Sequence, residues 1–196
     1  MCKIEKCALE DSKKIVINKP QWGFVEYLPE VFAKISYDDT GFNVMFTVKE
    51  ENPKREMKNH FESVHKDSCV ELFLNFSPKT SEMYMNFEAN ANGAMNVAFR
   101  KDRHSKTLLK LEEVESFGIV SKINDNSWTV SYKIGYEFLK SYYPDFDINS
   151  CEYIIGNVYK CGDETPIEHY IALFDVNCEK PDFHRPEYFG KFEIVK

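Results

Sequence analysis

Residues 69–91 read CVELFLNFSPKTSEMYMNFEANA, and the stretch alternates. Val70, Leu72, Leu74 and Phe76 recur at every second position, as do Met85, Phe87, Ala89 and Ala91. A period of two marks strands with one face in a core. The intervening SPKTS closes the two runs into a hairpin. The opposite face then carries Cys69, Glu71, Phe73 and Asn75 on the first strand, and Tyr84, Asn86, Glu88 and Asn90 on the second. Pairing across the loop sets Asn75 beside Tyr84, Phe73 beside Asn86 and Glu71 beside Glu88. Opposed residues have Cβ atoms about 5 Å apart, so two carboxylates there repel. A cation, a shared proton or a ligand offering hydroxyls would offset the repulsion. Acids and amides hydrogen-bond sugar hydroxyls, and a flat ring covers the sugar's C–H face. A solvated sheet face is the alternative reading, and a slip of one residue would break the pairing. The same pair also fits a retaining glycoside hydrolase, whose carboxyls stand about 5–5.5 Å apart, although nothing in the sequence predicts a deep cleft.

Outward from this hairpin the same period continues. KIVIN (14–18), FAKISYD (32–38) and FNVMFTVKE (42–50) precede it. AMNVAFR follows through the tight turn at Asn92–Gly93, and FGIVSKI, SWTVSYKI, EYIIGNVYK, IEHYIALF and GKFEIV come after. One short helix is expected at GYEFLKSYY (135–143), stopped by Pro144. Ten or eleven strands in 196 residues point to one all-β domain, an antiparallel β-sandwich of two roughly five-stranded sheets, immunoglobulin-like or jelly-roll-like, with residues 1–13 as an N-terminal extension.

A net charge of -7 without a dense Lys/Arg tract argues against nucleic acid or an anionic membrane as partner. No apolar run reaches the roughly 18 residues of a membrane span. The start, MCKIEKCALEDSKK, lacks the apolar core of a secretory signal, so a cytoplasmic location is expected unless a leader was removed. Cys2, Cys7, Cys69, Cys151, Cys161 and Cys178 show no CxxC spacing and read as free thiols.

HKDSCVELFLNF followed by YMNFEANANGAM resembles the carbohydrate-binding module family 9-like domains. SWTVSYKIGYEFL resembles their tryptophan strand running into a short helix. GNVYKCGDETPIEHY and PDFHRPEYFG resemble the C-terminal signature of a single-domain branch of that group. The resemblance covers residues 20 to the end. It implies a β-sandwich that binds mono- or oligosaccharide, chain ends included, without catalysis, in the service of carbohydrate catabolism. It also implies structural calcium, whose ligands the sequence does not place. By motif, Glu71 matches the family's sugar-contacting Glu, and Glu88 and Asn90 fall on polar positions of the next strand. Xylanase-linked members clamp the sugar between two tryptophans. Here His65 stands at the first of those positions, and Phe174, Phe183 and His184 are nearest to the second. Trp22 and Trp128 are out of register with both. The resemblance therefore puts Glu71, Glu88 and Asn90 at a saccharide site rimmed by His65, Lys160, His169, His184 and Arg185. A ligand-less interaction domain remains the third reading.

Other patterns carry less. Asp145, Asp147 and Asn149 alternate like the start of a calcium loop, but Ser150 and Gly156 occupy the positions of its glycine and bidentate glutamate, so a side-chain-capped turn is expected. The five histidines lack zinc-site spacing. Cys161 near His169 has no third orienting group and reads as a partly buried thiol. Trp128, Val130, Tyr132 and Ile134 read as a core stripe.

Overall fold

The computed structural model describes residues 2–196. Its strands are β1 (Cys2–Lys6), β2 (Lys14–Ile17), β3 (Lys19–Pro20), β4 (Glu30–Tyr37), β5 (Gly41–Lys49), β6 (Cys69–Asn75), β7 (Tyr84–Asn90), β8 (Met95–Arg100), β9 (Lys106–Leu108), β10 (Val120–Asn124), β11 (Ser127–Gly135), β12 (Tyr153–Gly162), β13 (His169–Ala172) and β14 (Gly190–Val195). The expected helix is present as Tyr136–Tyr142, and a shorter one spans Leu111–Glu115. None of the described helices is long and apolar enough to cross a membrane.

The chain is all-β, as expected, but its ladder is not divided into two separate sheets. Hydrogen bonds run unbroken along β10-β11-β5-β4-β1-β14-β12-β6-β7-β8-β9, with β2 added on β4, and β13 and β3 added beside β12. The join is β1, which pairs parallel with β4 on one side and with β14 on the other. Residues 2–6, expected within an extension, are thus a central strand. Their pattern hides it, because only Ile4 of the five is buried.

The sheet curls so that its halves face each other. Phe87 of β7 stacks on Tyr132 of β11 with centroids 5.9 Å apart, and Phe42 of β5 lies 5.4 Å from Phe76. The residues that alternate in the sequence fill this interior: Val70, Leu72 and Leu74 from β6, Met85, Phe87 and Ala89 from β7, and the stripe Trp128, Val130, Tyr132 and Ile134 from β11. Each large side chain so buried contributes about 1.5–3 kcal/mol.

The outer face of β6, β7 and β12 is buried as well. A second cluster there joins Cys69 and Phe73 of β6, Tyr84 of β7 and Tyr159 and Cys161 of β12 with Val64, Tyr170, Val176 and Phe183 from the covering segments. Asp67 anchors one cover: its Oδ2 accepts from the Met57 backbone N–H and from Asn90 Nδ2, both at 2.8 Å. The solvated face of the alternative reading is therefore not what forms, since covering segments enclose it and leave a small opening.

Candidate functional site

The register of β6 and β7 is the expected one, with Glu71 opposite Glu88 and Phe73 opposite Asn86. Both carboxyls lie on the floor of a cavity of about 140 Å³ between the sheet and its covering loops. Each residue is 4% exposed. Asn86 and Asn96 donate to the two oxygens of Glu88 at 2.8 and 3.0 Å. Glu71 accepts from the Cys161 thiol at 3.0 Å. Burial, then the facing Glu88, pushes the Glu71 carboxyl well above the ordinary carboxylate range. Burial raises Glu88 too, against the pull of Asn96, His65 and Arg100.

Aromatic rings make the walls. Phe183 stacks on Tyr159 at 3.9 Å, and Trp22 lies 5.3 Å from Phe183 and 5.5 Å from Tyr170. Trp22 takes a left-handed φ of 52°, which a bulky residue adopts only where its surroundings enforce it. Its Nε1 donates to the Cys178 carbonyl at 2.9 Å, and the preceding Gln21 bonds to both Tyr170 and Val176. The adjacent His184 stacks on Phe73 at 4.8 Å, and its Nδ1 lies 3.0 Å from the Tyr84 hydroxyl. Burial, followed by Arg100 and Arg103, lowers the imidazole to about 3, so it is neutral at pH 7. Burial raises the Tyr84 hydroxyl, which keeps its proton and shares a hydrogen bond with Nδ1. His65, Arg103, Asp163 and Asp182 complete the lining. Arg103 pairs with Asp182 at 3.0 Å, and the same carboxylate oxygen caps the His184 N–H.

Of the expected site residues, the structure brings together His65, Glu71, Glu88 and His184. Four others lie elsewhere. Asn90 is wholly buried, its amide divided among the Met57 carbonyl, Asp67 and the backbone N–H groups of Asn92 and Ala94. Lys160 pairs with Val70 in the β6–β12 ladder and therefore points to the sandwich interior, while Tyr159 and Cys161 share the face of Glu71. There its Nζ contacts His169 Nε2 at 2.6 Å, the Cys161 carbonyl, Ser68 and, at 3.8 Å, Glu50. His169 follows it inward, and burial, then Lys160, lowers its pKa to about 4. Arg185 pairs with its neighbour Glu187 on the surface, outside the cavity lining. The pairing of β12 with β6, which only the structure shows, is what exchanges Lys160 for Cys161. Trp22 and Tyr170 reach the cavity only through tertiary packing, and no local pattern announces them.

In PDFHRPEYFG, Gly190 starts β14 opposite Gly156. A Cβ there would meet the Phe174 ring at 2.3 Å, so the glycine makes room for that ring. The Asp147 carboxylate accepts from the Asn149 backbone and side chain, the capped turn expected of that stretch.

The model of carbohydrate-binding family 9 matches residues 5–194, and the chain belongs to that family. No curated protein matches its sequence. Among solved structures it is similar to a candidate carbohydrate-binding protein from Bacteroides uniformis, at 19% identity and a TM-score of 0.83, over 100% of this chain and 98% of the other. It is also similar to a family 9 module from Caldicellulosiruptor kristjanssonii, solved with glucose and with cellotriose. That match has 13% identity and a TM-score of 0.65, over 98% of this chain and 94% or 92% of the other.

Proposed function

We propose that the cavity above Glu71 and Glu88 binds a saccharide and leaves it chemically unchanged. The observation that carries this is the pair of carboxyls in register on a buried floor, walled by Trp22, Phe183 and His184. Sugar hydroxyls exchange hydrogen bonds with both carboxyls and with the His184 imidazole. The aromatic wall takes the apolar face of the ring. A cavity of about 140 Å³ suits one terminal sugar ring better than a run of chain. Glucose and cellotriose, the ligands of the Caldicellulosiruptor module, are the first compounds to try.

A retaining hydrolase needs one carboxyl ionised beside one protonated. Burial raises both here, which favours uncharged hydrogen-bonding partners over a nucleophile. The test is a thermal-shift screen of mono- and oligosaccharides, with and without calcium, on the wild type, Glu71→Ala and Trp22→Ala. A ligand at a hundredfold its Kd should add about 2.7 kcal/mol of stability. A hit that survives both substitutions overturns the site. Glycoside turnover that disappears in Glu71→Gln overturns the binding-only role.

A further inference from the structure

Two thiols and a carboxyl meet beneath the cavity in a way that saccharide binding does not require. Cys69 and Glu71 are two apart on β6 and share its outer face, and Cys161 on β12 is the register partner of Cys69. The sulfurs of Cys69 and Cys161 and a carboxylate oxygen of Glu71 all lie within 4.8 Å of one another, and all three residues are buried. Arg100, a buried cation on the neighbouring β8, directs Nε to Asn86 and Nη1 to the Arg103 carbonyl. Lys160 is turned to the other face of the sheet.

We propose that Cys69, Cys161 and Glu71 form a binding site for a thiophilic divalent cation, with zinc the best fit. Two thiolates exclude calcium and magnesium, which take oxygen ligands, and select zinc among the divalent ions that also accept a carboxylate. Bonds of about 2.3 Å to sulfur and about 2.0–2.2 Å to oxygen hold tetrahedral ligand atoms about 3.5–3.8 Å apart. The present spacing, from the 3.0 Å Cys161–Glu71 contact to the 4.8 Å limit, reaches that geometry with shifts of about 1 Å. Glu71 and Cys161 both line the cavity, which supplies an entry path and leaves a fourth position open to water or a ligand hydroxyl. The ion would draw Glu71 into its ionised form and compensate that charge. Its ligands bind deprotonated, so uptake releases protons and strengthens with pH.

The assignment is independent of any sugar and is tested without one. The reduced full-length chain is titrated with cobalt(II), a zinc surrogate that reports its ligands by colour. The expected result is one equivalent of tetrahedral cobalt with thiolate-to-cobalt charge-transfer absorption, displaced by zinc. The absorption should vanish in Cys69→Ser and Cys161→Ser and persist in Cys178→Ser, with circular dichroism confirming that each variant is folded. Glu71→Gln keeps both sulfurs in a nearly isosteric side chain. It should retain the absorption while weakening affinity at least tenfold. Absence of charge transfer in the wild type overturns the site, as does its persistence without Cys161. Unchanged affinity in Glu71→Gln removes the carboxyl from the ligand set and overturns the assignment as stated.

Discussion

Two groups of buried ionisable side chains lie back to back across strands β6 and β12, and they are built on opposite plans. On the inner side Lys160 and Glu50 attract each other, and each is surrounded: Lys160 by Ser68, His169 and the Cys161 carbonyl, Glu50 by Ser68 and the Trp128 Nε1–H at 2.8 Å. Burial works against the charge on Glu50, yet Lys160, Ser68 and Trp128 together hold its pKa below the ordinary value. On the outer side Glu71 and Glu88 repel, and Glu71 has the Cys161 thiol as its hydrogen-bond donor. The inner group is closed and self-compensating, as a structural element should be. The outer group has hydrogen-bond donors but, among the described residues, no paired cation, and it opens to a cavity. Burial alone does not distinguish structure from function, but whether the buried charges are already compensated does.

The sharpest test of this contrast is Lys160→Met. Removing the cation strands Glu50 in the interior and should cost about 3–5 kcal/mol in denaturant unfolding. Saccharide binding by the folded fraction should be unchanged, and a stability loss below about 1 kcal/mol would break the distinction.

Acid should expose the cost of the neutral histidine at the cavity. His184 has a folded pKa of about 3 against 6.5 unfolded. A depressed pKa contributes stability that is full above 6.5 and is lost as pH falls towards 3. At pH 5 the loss is about 2 kcal/mol. The raised carboxyls act in the opposite direction over part of this window, so the measurement is the difference between wild type and His184→Gln. The variant should show a flatter acid limb. Parallel limbs would refute the burial of a neutral imidazole.

Trp22→Ala should weaken saccharide binding about tenfold, or about 1.4 kcal/mol, by calorimetry. Since the ring sits on the rim, its effect on stability should be smaller than its effect on affinity.

The smallest effect has the most telling sign. Glu71 has a raised pKa, so its protonated form favours folding below 4.5 and that contribution is lost as pH rises through the folded value. Glu71→Gln, in protein freed of metal by a chelator, should therefore be more stable than wild type at pH 8, by about 1 kcal/mol or roughly 2–4 °C in Tm. It should bind saccharide less well. A variant that is both less stable and a poorer binder would place Glu71 among the structural groups.

Much of the outer group was legible in the sequence, because it is local. Glu71 and Glu88 belong to one hairpin, and a short turn with alternating apolar residues sets their register without reference to anything distant. Lys160 was misplaced because its facing depends on the pairing of β12 with β6, strands separated by some 80 residues, and β12 is buried on both sides over much of its length. Its alternation therefore does not reveal which side is in. Asn90 continues the polar face of β7 correctly, but Asp67 and the segment around Met57 fold over it and take its amide. His184 was recognised through PDFHRPEYFG, whereas its neighbour Arg185 points to Glu187 and solvent.

By itself the sequence determined what periodicity and short turns determine: an all-β chain, the inner stripes of β6, β7 and β11, one helix before Pro144, and two carboxyls facing each other on a hairpin. Tertiary structure alone decided the rest. It placed the five-residue β1 where the sheet halves join, roofed the outer face with loops, turned Lys160 inward and brought Trp22 to Phe183. The reason is one of range. Alternation records which side of a strand is apolar, whereas the second burial of a polar face and the compensation of its charges depend on segments that meet only when the sheet has curled.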